Sequence, residues 1–550
     1  MSPRKSRSEV EWQLWMCLFL VIATASEAPA QIAGVGLSSV RGQSFGNENL
    51  FFFVPENEDR LGWSVAAGDF NGDGAEDLAT GMPYDDGLVG AGLTDVGSVI
   101  VRFGVARTGL ATTPADTVLS QFASGSQSPP ESEERFGYAL AVGDFNGDGY
   151  DDLAVGIPFD WVPNPPDCYG GGPKPAGSVQ IHYGLPGGIQ TAGEHWLHQS
   201  LPGMDWCNRE YDRFGAALAA GDFDADGWGD LAIGAPYSTV HYNGSFDAGV
   251  VNVVYGHFGG VMPVFGVRIH QDVAGVHDVI QEGDKFGYAL AIGDFNDDFR
   301  EDLAIGVPGE EGSGAIQVVM SSPSGLVLTD NAIWQQSDIG GGPNESGDGF
   351  GATLAVGDFD GDSIDDLAVG SPQESLGSAN RTGKIDVLYG DLFSWFDPTR
   401  FEHFTQGSIF GTSTADGALD QFGFALAAGD FDRDGWADLA VSQPGENAGG
   451  TWRGGVTILS GGLGGLYDRY RFLSPGLGGV PSDAQNGAQA GGALASGDFD
   501  GDGYDDLAMG IPWRSEAGLS SVGAVTVLYG SLFSDGFDSG NLFYWSATAP

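Results

Sequence analysis

One pattern of 23 residues occurs in seven copies along this chain of 550 residues, and it constrains the fold more than any other feature. The clearest copy, FGYALAVGDFNGDGYDDLAVGIP, spans Phe136–Pro158. An aspartate opens the central loop of every copy, and these aspartates are Asp69, Asp144, Asp222, Asp294, Asp358, Asp430 and Asp498. Regular self-similarity of this kind is typical of arrays in which each repeat buries its apolar face against its neighbours.

Each copy predicts four β-strands. The stretches on either side of the central loop, such as Tyr138–Val142 and Asp152–Gly156, are short and apolar, as in strands packed on both faces. A third stretch alternates Val, Ile and Tyr between glycines, as in GSVQIHYG at Gly177, and a weaker fourth is visible at His195–Gln199 and Ile333–Gln336. Seven four-stranded antiparallel units favour an all-β, seven-bladed β-propeller, which hides its sheet edges in a closed ring, over separate domains or an open solenoid.

The repeats place the propeller at residues 61–530, preceded by a segment at 31–60 and followed by a tail or strand at 531–550. A closed ring needs one blade that is shared between the two ends of the chain. Leu50–Val54 and Leu542–Trp545 are the two candidate strands for this closure. The sequence does not choose between them.

The central loops place carboxylate or amide oxygens at positions 1, 3, 5 and 9, as in DFNGDGAED at Asp69–Asp77. With a backbone carbonyl at position 7, this spacing suits Ca²⁺ better than Mg²⁺, which demands octahedral geometry and keeps its waters. We therefore expect up to seven calcium ions, one per blade. The expected ligands are Asp69, Asn71, Asp73, Ala75 and Asp77; Asp144, Asn146, Asp148, Tyr150 and Asp152; Asp222, Asp224, Asp226, Trp228 and Asp230; Asp294, Asn296, Asp298, Arg300 and Asp302; Asp358, Asp360, Asp362, Ile364 and Asp366; Asp430, Asp432, Asp434, Trp436 and Asp438; and Asp498, Asp500, Asp502, Tyr504 and Asp506.

Two other interpretations of these loops fit less well. A helix-flanked EF-hand needs a bidentate Glu at position 12, where this chain has apolar or β-branched residues such as Thr80, Val155 and Met509. Solvated acidic turns would hold like charges a few ångströms apart in every blade, which costs free energy without a cation. Because Phe299 stands where most loops have glycine at position 6, we expect the fourth site to be the weakest.

The opening Phe136-Gly137, the acidic loop and the closing Gly156-Ile157-Pro158 together resemble the FG-GAP repeat of the integrin α-subunit N-terminal β-propeller. The resemblance implies seven blades, calcium hairpins between the first and second strands on the lower face, and extracellular binding or adhesion through the opposite face. The chain departs from integrins in carrying an acidic loop in every blade and Ala490-Gly491 in place of the last Phe-Gly pair. With only about twenty residues after the propeller, it is more similar to a free-standing secreted FG-GAP protein than to a receptor chain.

The first thirty residues predict an export signal. Basic residues at Arg4, Lys5 and Arg7 precede an apolar run at Leu14–Ala25, and a small-residue motif at 28–30 predicts cleavage after Ala30. The apolar run is shorter than the roughly 20 residues that a membrane span requires. We therefore expect a secreted or cell-surface protein without a membrane span.

The amino-acid composition limits the classes of partner that the chain can bind. The chain has 75 Asp and Glu against 22 Lys and Arg, a formal charge of −53, which argues against nucleic acid, since proteins bind it by neutralising phosphates. A hydrophobic fraction of 41% with 13 Trp, 16 Tyr and 34 Phe is too apolar for a disordered acidic tail. The chain must therefore fold, and something must relieve its self-repulsion.

The loops that connect strands 2 and 3, and those that enter the next blade, emerge on the upper face. Cys168 and Cys207 lie on two such loops in neighbouring blades, so they are candidates for a disulfide. Aromatic residues on the same loops are candidates for a ligand-binding face, although they would serve equally to cover the central channel: Phe159, Trp161, Tyr169, Trp206 and Tyr211.

No enzyme motif is found. The eight histidines form no HExxH, and there is no GxSxG or glycine-rich phosphate loop. We expect a secreted, calcium-binding β-propeller that acts as an extracellular binding or adhesion module, monomeric, with a protein or glycan ligand. The alternative is a glycan-active propeller enzyme, a polysaccharide lyase or hydrolase whose catalytic groups are scattered over the upper loops.

Overall fold

The computed structural model describes most of the chain between residues 37 and 530. The described ranges are 37–46, 56–87, 92–111, 116–123, 126–164, 172–193, 195–204, 207–240, 246–377, 379–392, 395–411, 417–448, 450–467, 470–477, 480–481, 485–516 and 518–530. The export signal, the tail at 531–550 and the two strands proposed for ring closure, Leu50–Val54 and Leu542–Trp545, lie outside these ranges.

Seven four-stranded antiparallel sheets make up the fold, which confirms the predicted seven-bladed β-propeller. Blades one to three consist of β2 (Ser64–Gly68), β3 (Asp77–Met82), β4 (Ser98–Arg102) and β5 (Thr117–Leu119); β6 (Leu140–Gly143), β7 (Asp152–Ile157), β10 (Ser178–His182) and β13 (His195–Leu197); and β14 (Ala217–Gly221), β15 (Asp230–Ala235), β16 (Val250–Tyr255) and β17 (Met262–Ile269).

Blades four to seven follow the same plan. Their strands are β18 (Ala289–Gly293), β19 (Asp302–Val307), β20 (Ala315–Val319) and β21 (Asn331–Trp334); β22 (Thr353–Gly357), β23 (Asp366–Ser371), β24 (Lys384–Asp391) and β25 (Trp395–Phe404); β26 (Leu426–Gly429), β27 (Asp438–Ser442), β30 (Val456–Leu459) and β31 (Tyr470–Leu473); and β32 (Leu494–Gly497), β33 (Asp506–Gly510), β34 (Ala524–Gly530) and β1 (Leu37–Gly46).

Short elements in the loops complete the described structure. They are the two-residue strands β8 (Trp161–Val162), β9 (Lys174–Pro175), β11 (Gly184–Leu185), β12 (Gly188–Ile189), β28 (Asn447–Ala448) and β29 (Thr451–Trp452), a 3-10 helix at Glu310–Gly312, and helix α1 at Gln406–Phe410. No helix among the described residues is both long and apolar enough to cross a membrane.

The N-terminal strand closes the ring. β1 pairs antiparallel with β34 and is the outermost strand of the seventh blade, from Leu37 opposite Gly530 to Gly46 opposite Ala524. Leu37–Gly46 lies upstream of the segment that the sequence suggested, and its alternating apolar pattern is too weak to single out without the pairing partner. The seventh blade therefore joins both ends of the chain, which closes the ring of blades.

The first strand of each blade is innermost. Each first strand contacts the first strands of both neighbouring blades, and β32 of the last blade contacts β2 of the first. These strands read SVAAG, LAVG, ALAAG, ALAIG, TLAVG, LAAG and LASG. Small residues allow seven strands to converge on one axis, whereas the second strands, buried along their whole length, carry the larger Leu, Ile and Val side chains.

A phenylalanine at position 2 of each acidic loop seals the boundary between blades. All seven of these side chains are fully buried: Phe70, Phe145, Phe223, Phe295, Phe359, Phe431 and Phe499. Each packs in one cluster with the second strand of the next blade, as Phe359 does with Leu439 and Val441. Complete burial of such a side chain is worth about 1.5–3 kcal/mol. The same residue therefore begins the acidic loop and joins neighbouring blades.

The Phe-Gly pair that opens each repeat forms a second contact between blades. Phe136 pairs in a parallel bridge with Gly97, just before the third strand of the preceding blade, and Leu61 of the first repeat pairs likewise with Gly523 of the last. The following Gly137 has φ of 85°, and a Cβ there would lie 2.9 Å from the carbonyl oxygen of Ser98. Glycine is therefore required by both conformation and space.

We expect Phe359→Ala to lower the free energy of unfolding by about 3–5 kcal/mol, because it leaves a cavity between blades five and six. The matched control is Phe258→Ala, since Phe258 is 75% exposed and its loss should change stability by less than about 0.5 kcal/mol. Urea unfolding in saturating calcium measures both. Equal effects of the two substitutions would contradict the role assigned to the position-2 phenylalanine.

Candidate metal sites

Each acidic loop is the turn of a hairpin between the first and second strands of a blade, as predicted. The last strand pair before the loop joins the glycine that precedes position 1 to the aspartate at position 9, as in Gly143 opposite Asp152. The same closing pair occurs in all seven blades. All seven loops therefore lie at the same end of the propeller, here called the lower face.

The aspartate at position 1 organises the backbone of its own loop. In the second loop, Asp144 Oδ1 accepts the N–H of Gly147 (2.7 Å) and of Asp148 (3.1 Å), and Oδ2 accepts the N–H of Gly149 (2.9 Å). Positions 4 and 6 have left-handed backbone, with φ of 69° at Gly147 and 86° at Gly149. Position 1 thereby bends the chain so that the later oxygens of the loop can face the same point.

The aspartate at position 9 is buried and anchors the loop to the rest of the blade. Asp152 Oδ1 accepts the N–H of Gly184, beyond the third strand (2.9 Å), and Oδ2 accepts the N–H of Phe145 (2.9 Å). A bond from an N–H at or just beyond the end of the third strand recurs in all seven blades. Desolvation by burial raises the pKa of Asp152 to about 8. A carboxylate held at this place is costly unless a cation compensates its charge.

Four loops bring three carboxylates to within 4.8 Å of one another. They are Asp222, Asp224 and Asp230; Asp358, Asp360 and Asp366; Asp430, Asp432 and Asp434; and Asp498, Asp500 and Asp506. The remaining three loops have an asparagine at position 3. Buried position-3 oxygens that accept no hydrogen bond are found on Asp224, Asn296 and Asp432, each at Oδ1. Oxygen atoms that converge, repel one another and accept no hydrogen bond from the protein suit a hard cation such as Ca²⁺.

The fourth loop carries its unusual position-6 residue in the same left-handed region as the glycines of other loops, and its weakness as a metal site stays a prediction. Phe299 at position 6 has φ of 64° and is 85% exposed, so a bulky side chain occupies a left-handed position that glycine fills in five other loops. Arg300 at position 7 also pairs with Asp298, with 2.6 Å between Nη2 and Oδ2. This ion pair competes with any cation for one of the expected ligands. In the fifth loop, Ser363 has φ of 72° and Arg400 pairs with Asp360.

An acidic residue at position 8, which the sequence analysis did not select, links neighbouring loops. Asp151 Oδ2 accepts the backbone N–H of Asp69, position 1 of the preceding loop, at 2.8 Å. Equivalent bonds join the third loop to the fourth, the fourth to the fifth and the sixth to the seventh, through Glu301, Asp365 and Asp505. The seventh loop is joined to the first by Glu76, whose carboxylate accepts the N–H of Asp498.

Two boundaries between neighbouring loops lack a position-8 carboxylate. Gly229 and Ala437 occupy position 8 at the second-to-third and fifth-to-sixth boundaries, where only a backbone bond remains. Aromatic residues at position 7 overlap the preceding loop at these same boundaries, because a Cβ on Gly147 would meet Trp228 and one on Gly361 would meet Trp436. The recurring acid at position 8 was visible in the sequence, but its partner lies in another blade and only the fold shows it.

The structure places three of the aromatic candidates for a ligand face. Trp161 is 44% exposed and Tyr211 52% exposed, while Phe159 is half-buried between the guanidinium groups of Arg135 and Arg213, 4.6 and 5.2 Å from the ring centre. Tyr169 and Trp206 lie outside the described residues. Cys207 is disulfide-bonded, but Cys168 also lies outside them, so the pairing of these two cysteines stays a prediction.

Buried acids recur on the upper face as well, two residues before the Phe-Gly pair. Asp212 is buried and its Oδ2 accepts the N–H of Arg209 at 3.0 Å. Desolvation raises the pKa of Asp212 to about 7. In the second blade the equivalent residue is Glu134, whose pKa is raised by burial and by the neighbouring charge of Asp160. These groups account for part of the acidic surplus that the acidic loops leave unexplained.

These observations define a class of protein, the seven-bladed propeller with an acidic hairpin in every blade. A family model described as the FG-GAP repeat matches residues 61–101, 136–182, 214–253, 286–319, 350–388, 422–459 and 490–528. The chain therefore belongs to the FG-GAP repeat family. The resemblance to integrin α chains that the sequence motifs suggested is thereby confirmed.

Curated relatives include two kinds of protein. The chain is 34% identical to integrin alpha-PS2 of Drosophila melanogaster over 301 residues, which cover 53% of this chain and 18% of the relative. It is 28% identical to integrin alpha-8 of Gallus gallus over 321 residues, 55% of this chain and 27% of the relative. It is 35% identical to phosphatidylinositol-glycan-specific phospholipase D of Rattus norvegicus over 198 residues, 36% of this chain and 21% of the relative. The chain thus spans about a fifth to a quarter of the length of these relatives.

Among solved structures, the chain is similar to the exotype rhamnogalacturonan lyase YesX, with a TM-score of 0.40 and 11% sequence identity. The alignment covers 92% of this chain and 76% of the lyase. A similarity of this degree is too low to inform function.

We expect Phe299→Gly to stabilise the calcium-loaded protein by about 1 kcal/mol, because it relieves a left-handed conformation that is unfavourable for a bulky residue. The matched control is Phe258→Gly, at an exposed phenylalanine without positive φ, where the added chain freedom should be neutral or destabilising. Thermal unfolding in saturating calcium measures both. A Phe299→Gly protein no more stable than the parent would show that position 6 carries no strain.

We expect burial of Asp212 to make the propeller less stable as pH rises from about 4 to 7. The pKa of Asp212 in the folded protein, about 7, exceeds its ordinary value of 3.8, so its contribution to stability is complete below about pH 4 and is lost as pH rises through 7. Asp212→Asn removes this titration but keeps an oxygen for the Arg209 N–H. Relative to the parent, the variant should lack a fall in the unfolding free energy of up to about 1.4 kcal/mol per pH unit.

The control for this titration is Asp338→Asn. Asp338 is exposed but accepts the same type of hydrogen bond, from the N–H of Gln335 at 3.0 Å. Both variants are unfolded thermally across the pH range in saturating calcium. If the two variants had identical pH profiles, burial of Asp212 would not be the source of the effect.

Proposed function

We propose that this chain is a secreted, calcium-stabilised β-propeller that binds an extracellular protein or glycan through the loops of its upper face. The observation that carries the calcium role is the convergence of three carboxylates to within 4.8 Å in four loops. Like charges at that separation raise the free energy of the folded state unless a cation lies between them. The proposed ion is Ca²⁺, in up to seven sites, because the donors are all oxygen and are supplied by a flexible hairpin.

The calcium ions have a structural role in this proposal. Position 1 shapes the loop, positions 3 and 5 supply oxygens, and the position-9 aspartate also accepts the N–H group beyond the third strand. A cation held by these residues would join the hairpin to the third strand of the same blade. The position-8 carboxylates then extend the connection to the next blade. Calcium at one loop should therefore stabilise its neighbours across the boundary.

Secretion is supported by the export signal predicted at residues 1–30 and by the similarity to integrin α chains. Calcium sites of extracellular modules bind with dissociation constants of about 10⁻⁴ to 10⁻³ M. Sites of that affinity remain occupied only where calcium is abundant, as it is outside cells. The location and the proposed cation thus support each other.

Binding is a better proposal than glycan cleavage for the upper face. One pair of acids on the upper face, Glu134 with Asp160, resembles an acid–base pair, and both side chains are fully buried. Asp160 is engaged further by Ser128, Ser178 and the indole N–H of Trp196 (2.9 Å). A pair enclosed in this way supports the loop rather than meeting a substrate. Exposed aromatic side chains on loops of a rigid scaffold suit contact with a ligand.

We expect removal of calcium to lower the melting temperature by at least about 10 °C, because seven sites that bind only the folded state add stability by mass action. The comparison is the protein in EDTA against the protein in about 10 mM CaCl₂, with circular dichroism as the readout. Equal MgCl₂ is the control and should restore little of the stability. An unchanged melting curve in EDTA would overturn the structural role of calcium.

A further inference from the structure

The residue immediately before the Phe-Gly pair divides the upper face into two halves. It is basic in the first four blades and uncharged in the other three: Arg60, Arg135, Arg213 and Lys285, against Gly349, Gln421 and Gln489. All seven have left-handed backbone, with φ between 52° and 69°. The seven residues therefore occupy equivalent points of the ring, and at this position the positive charge is confined to four consecutive blades.

Aromatic rings alternate with these cations. The Cζ atom of Arg135 lies 4.7 Å from the ring centre of Tyr84 and 4.6 Å from that of Phe159. Arg213 lies 5.2 Å from Phe159 and 3.9 Å from the next ring, Tyr237. Arg60 and Lys285 lie at the two ends of this row. The Cζ atom of Arg60 is 4.0 Å from the ring centre of Tyr84, and the Nζ atom of Lys285 is 5.7 Å from that of Tyr237. We call this set the cationic arc; its members are Arg60, Tyr84, Arg135, Phe159, Arg213, Tyr237 and Lys285.

Aromatic rings hold the guanidinium groups of the arc in place, but these groups make few polar contacts with the described residues. Among the described residues, Arg135 and Arg213 make no ion pair, and their Nε atoms are buried without a hydrogen-bond acceptor. Arg60 pairs only with Glu58, 3.8 Å away, which is 64% exposed. Stacking between rings fixes the plane of an arginine and leaves its outer N–H groups for bidentate contact with a carboxylate.

The acids that directly precede two of the arginines accept backbone N–H groups within the protein. Asp59 and Glu134 directly precede Arg60 and Arg135, but both are buried and accept backbone N–H groups three residues upstream, at 2.8 and 2.7 Å. Burial raises the pKa of Asp59 to about 7. Glu58 and Glu133 are exposed and stand at the rim of the arc. Each of the two is removable by substitution, which makes its effect measurable.

Further aromatic side chains border the arc. The ring of Trp63 lies 5.3 Å from that of Tyr84, 5.5 Å from Tyr138 and 6.0 Å from Trp513. Tyr288, in the fourth blade, is 41% exposed. Arginine, tyrosine and tryptophan are the residues enriched at the centres of protein–protein interfaces, where they carry most of the binding energy. The composition of this patch therefore favours a protein partner.

We propose that the cationic arc is the contact surface for a protein partner that presents an extended acidic segment. The proposal rests on the proposed function, since it names the partner chemistry of the upper face. Arg60 and Arg135 flank one ring, and Arg135 and Arg213 the next, so neighbouring guanidinium carbons are at most about 9 and 10 Å apart. Alternate side chains of an extended chain are about 7 Å apart, which brings successive carboxylates within reach of successive arginines.

The charge of −53 does not prevent this contact. The Debye length is about 8 Å at physiological ionic strength, so the acidic loops of the lower face are screened from a ligand on the upper face. Attraction by the arc is short-ranged for the same reason. Binding should therefore weaken with added salt but persist at about 0.15 M.

The probe is a fluorescent octapeptide that alternates glutamate and threonine, and fluorescence anisotropy in saturating calcium reports its binding to the full chain. We expect Arg135→Gln and Arg213→Gln each to weaken binding by about fivefold or more, and the double variant by about twentyfold or more. Glutamine is the residue that blades six and seven carry at this position with the same backbone, so these variants should fold. If one lowered the melting temperature, Arg135→Lys, which keeps the charge without the bidentate fork, should give an intermediate loss.

Three controls accompany the experiment. A peptide that alternates glutamine and threonine keeps the size and removes the charge, and it should not bind. Arg107→Gln removes an exposed arginine with φ of 65° from the loop after β4, and it should leave binding within about twofold. Glu133→Gln removes a repelling charge at the rim and should tighten binding.

The proposal would be overturned if the neutral peptide bound as well as the acidic one, if the arginine variants bound like the parent, or if no acidic peptide bound. Binding of an oligogalacturonate without binding of the peptide would assign the arc to an acidic glycan instead of a protein. The calcium experiment is independent of these outcomes. Loss of peptide binding with intact calcium stabilisation would reject the arc alone, whereas an EDTA-insensitive protein that binds the peptide would reject the calcium role and leave the arc in place.

Discussion

The buried aspartate at position 9 is the constraint on which the rest of the structure depends. In every blade its carboxylate accepts an N–H at or just beyond the end of the third strand, and in most blades it also accepts the N–H of the position-2 phenylalanine. One carboxyl group thus ties the hairpin turn, the third strand and the core residue between blades together. Burial makes the charged form of this group costly and raises the pKa of Asp152, which supports the cation proposed for each loop.

The repeated acids, which look like a single surplus in the composition, serve three different purposes. The loops contain 31 of the 75 acidic residues. Three of the acids at positions 1, 3, 5 and 9 converge within each of four loops, while position 8 reaches across to the neighbouring blade. Acids before the Phe-Gly pair are buried on the opposite face and accept backbone N–H groups. The acidic residues, and the repulsion between them, are therefore distributed over separate local sites. Hydrogen bonds or the proposed cation offset the repulsion at each site.

The two faces of the propeller follow from the same repeat but diverge in chemistry. In the loops of the lower face, positions 1, 2, 5 and 9 are the same in every blade, because they shape the turn and anchor it to the core. The upper-face positions share one backbone conformation but vary in side chain, from Arg60 to Gly349 and Gln489. Side chains that differ on the same backbone conformation give a ring of similar blades one distinct surface.

The sequence by itself determined the number of blades, the strand order within a blade and the hairpin that carries each acidic loop, since all of these depend on residues near one another in the chain. Tertiary structure alone decided that Leu37–Gly46 closes the ring, because its partner Ala524–Gly530 is almost 500 residues away. The same holds for the position-8 acids and for the alternation of Arg135 and Arg213 with aromatic rings. Their partners lie in another blade, and only closure of the ring brings the two together.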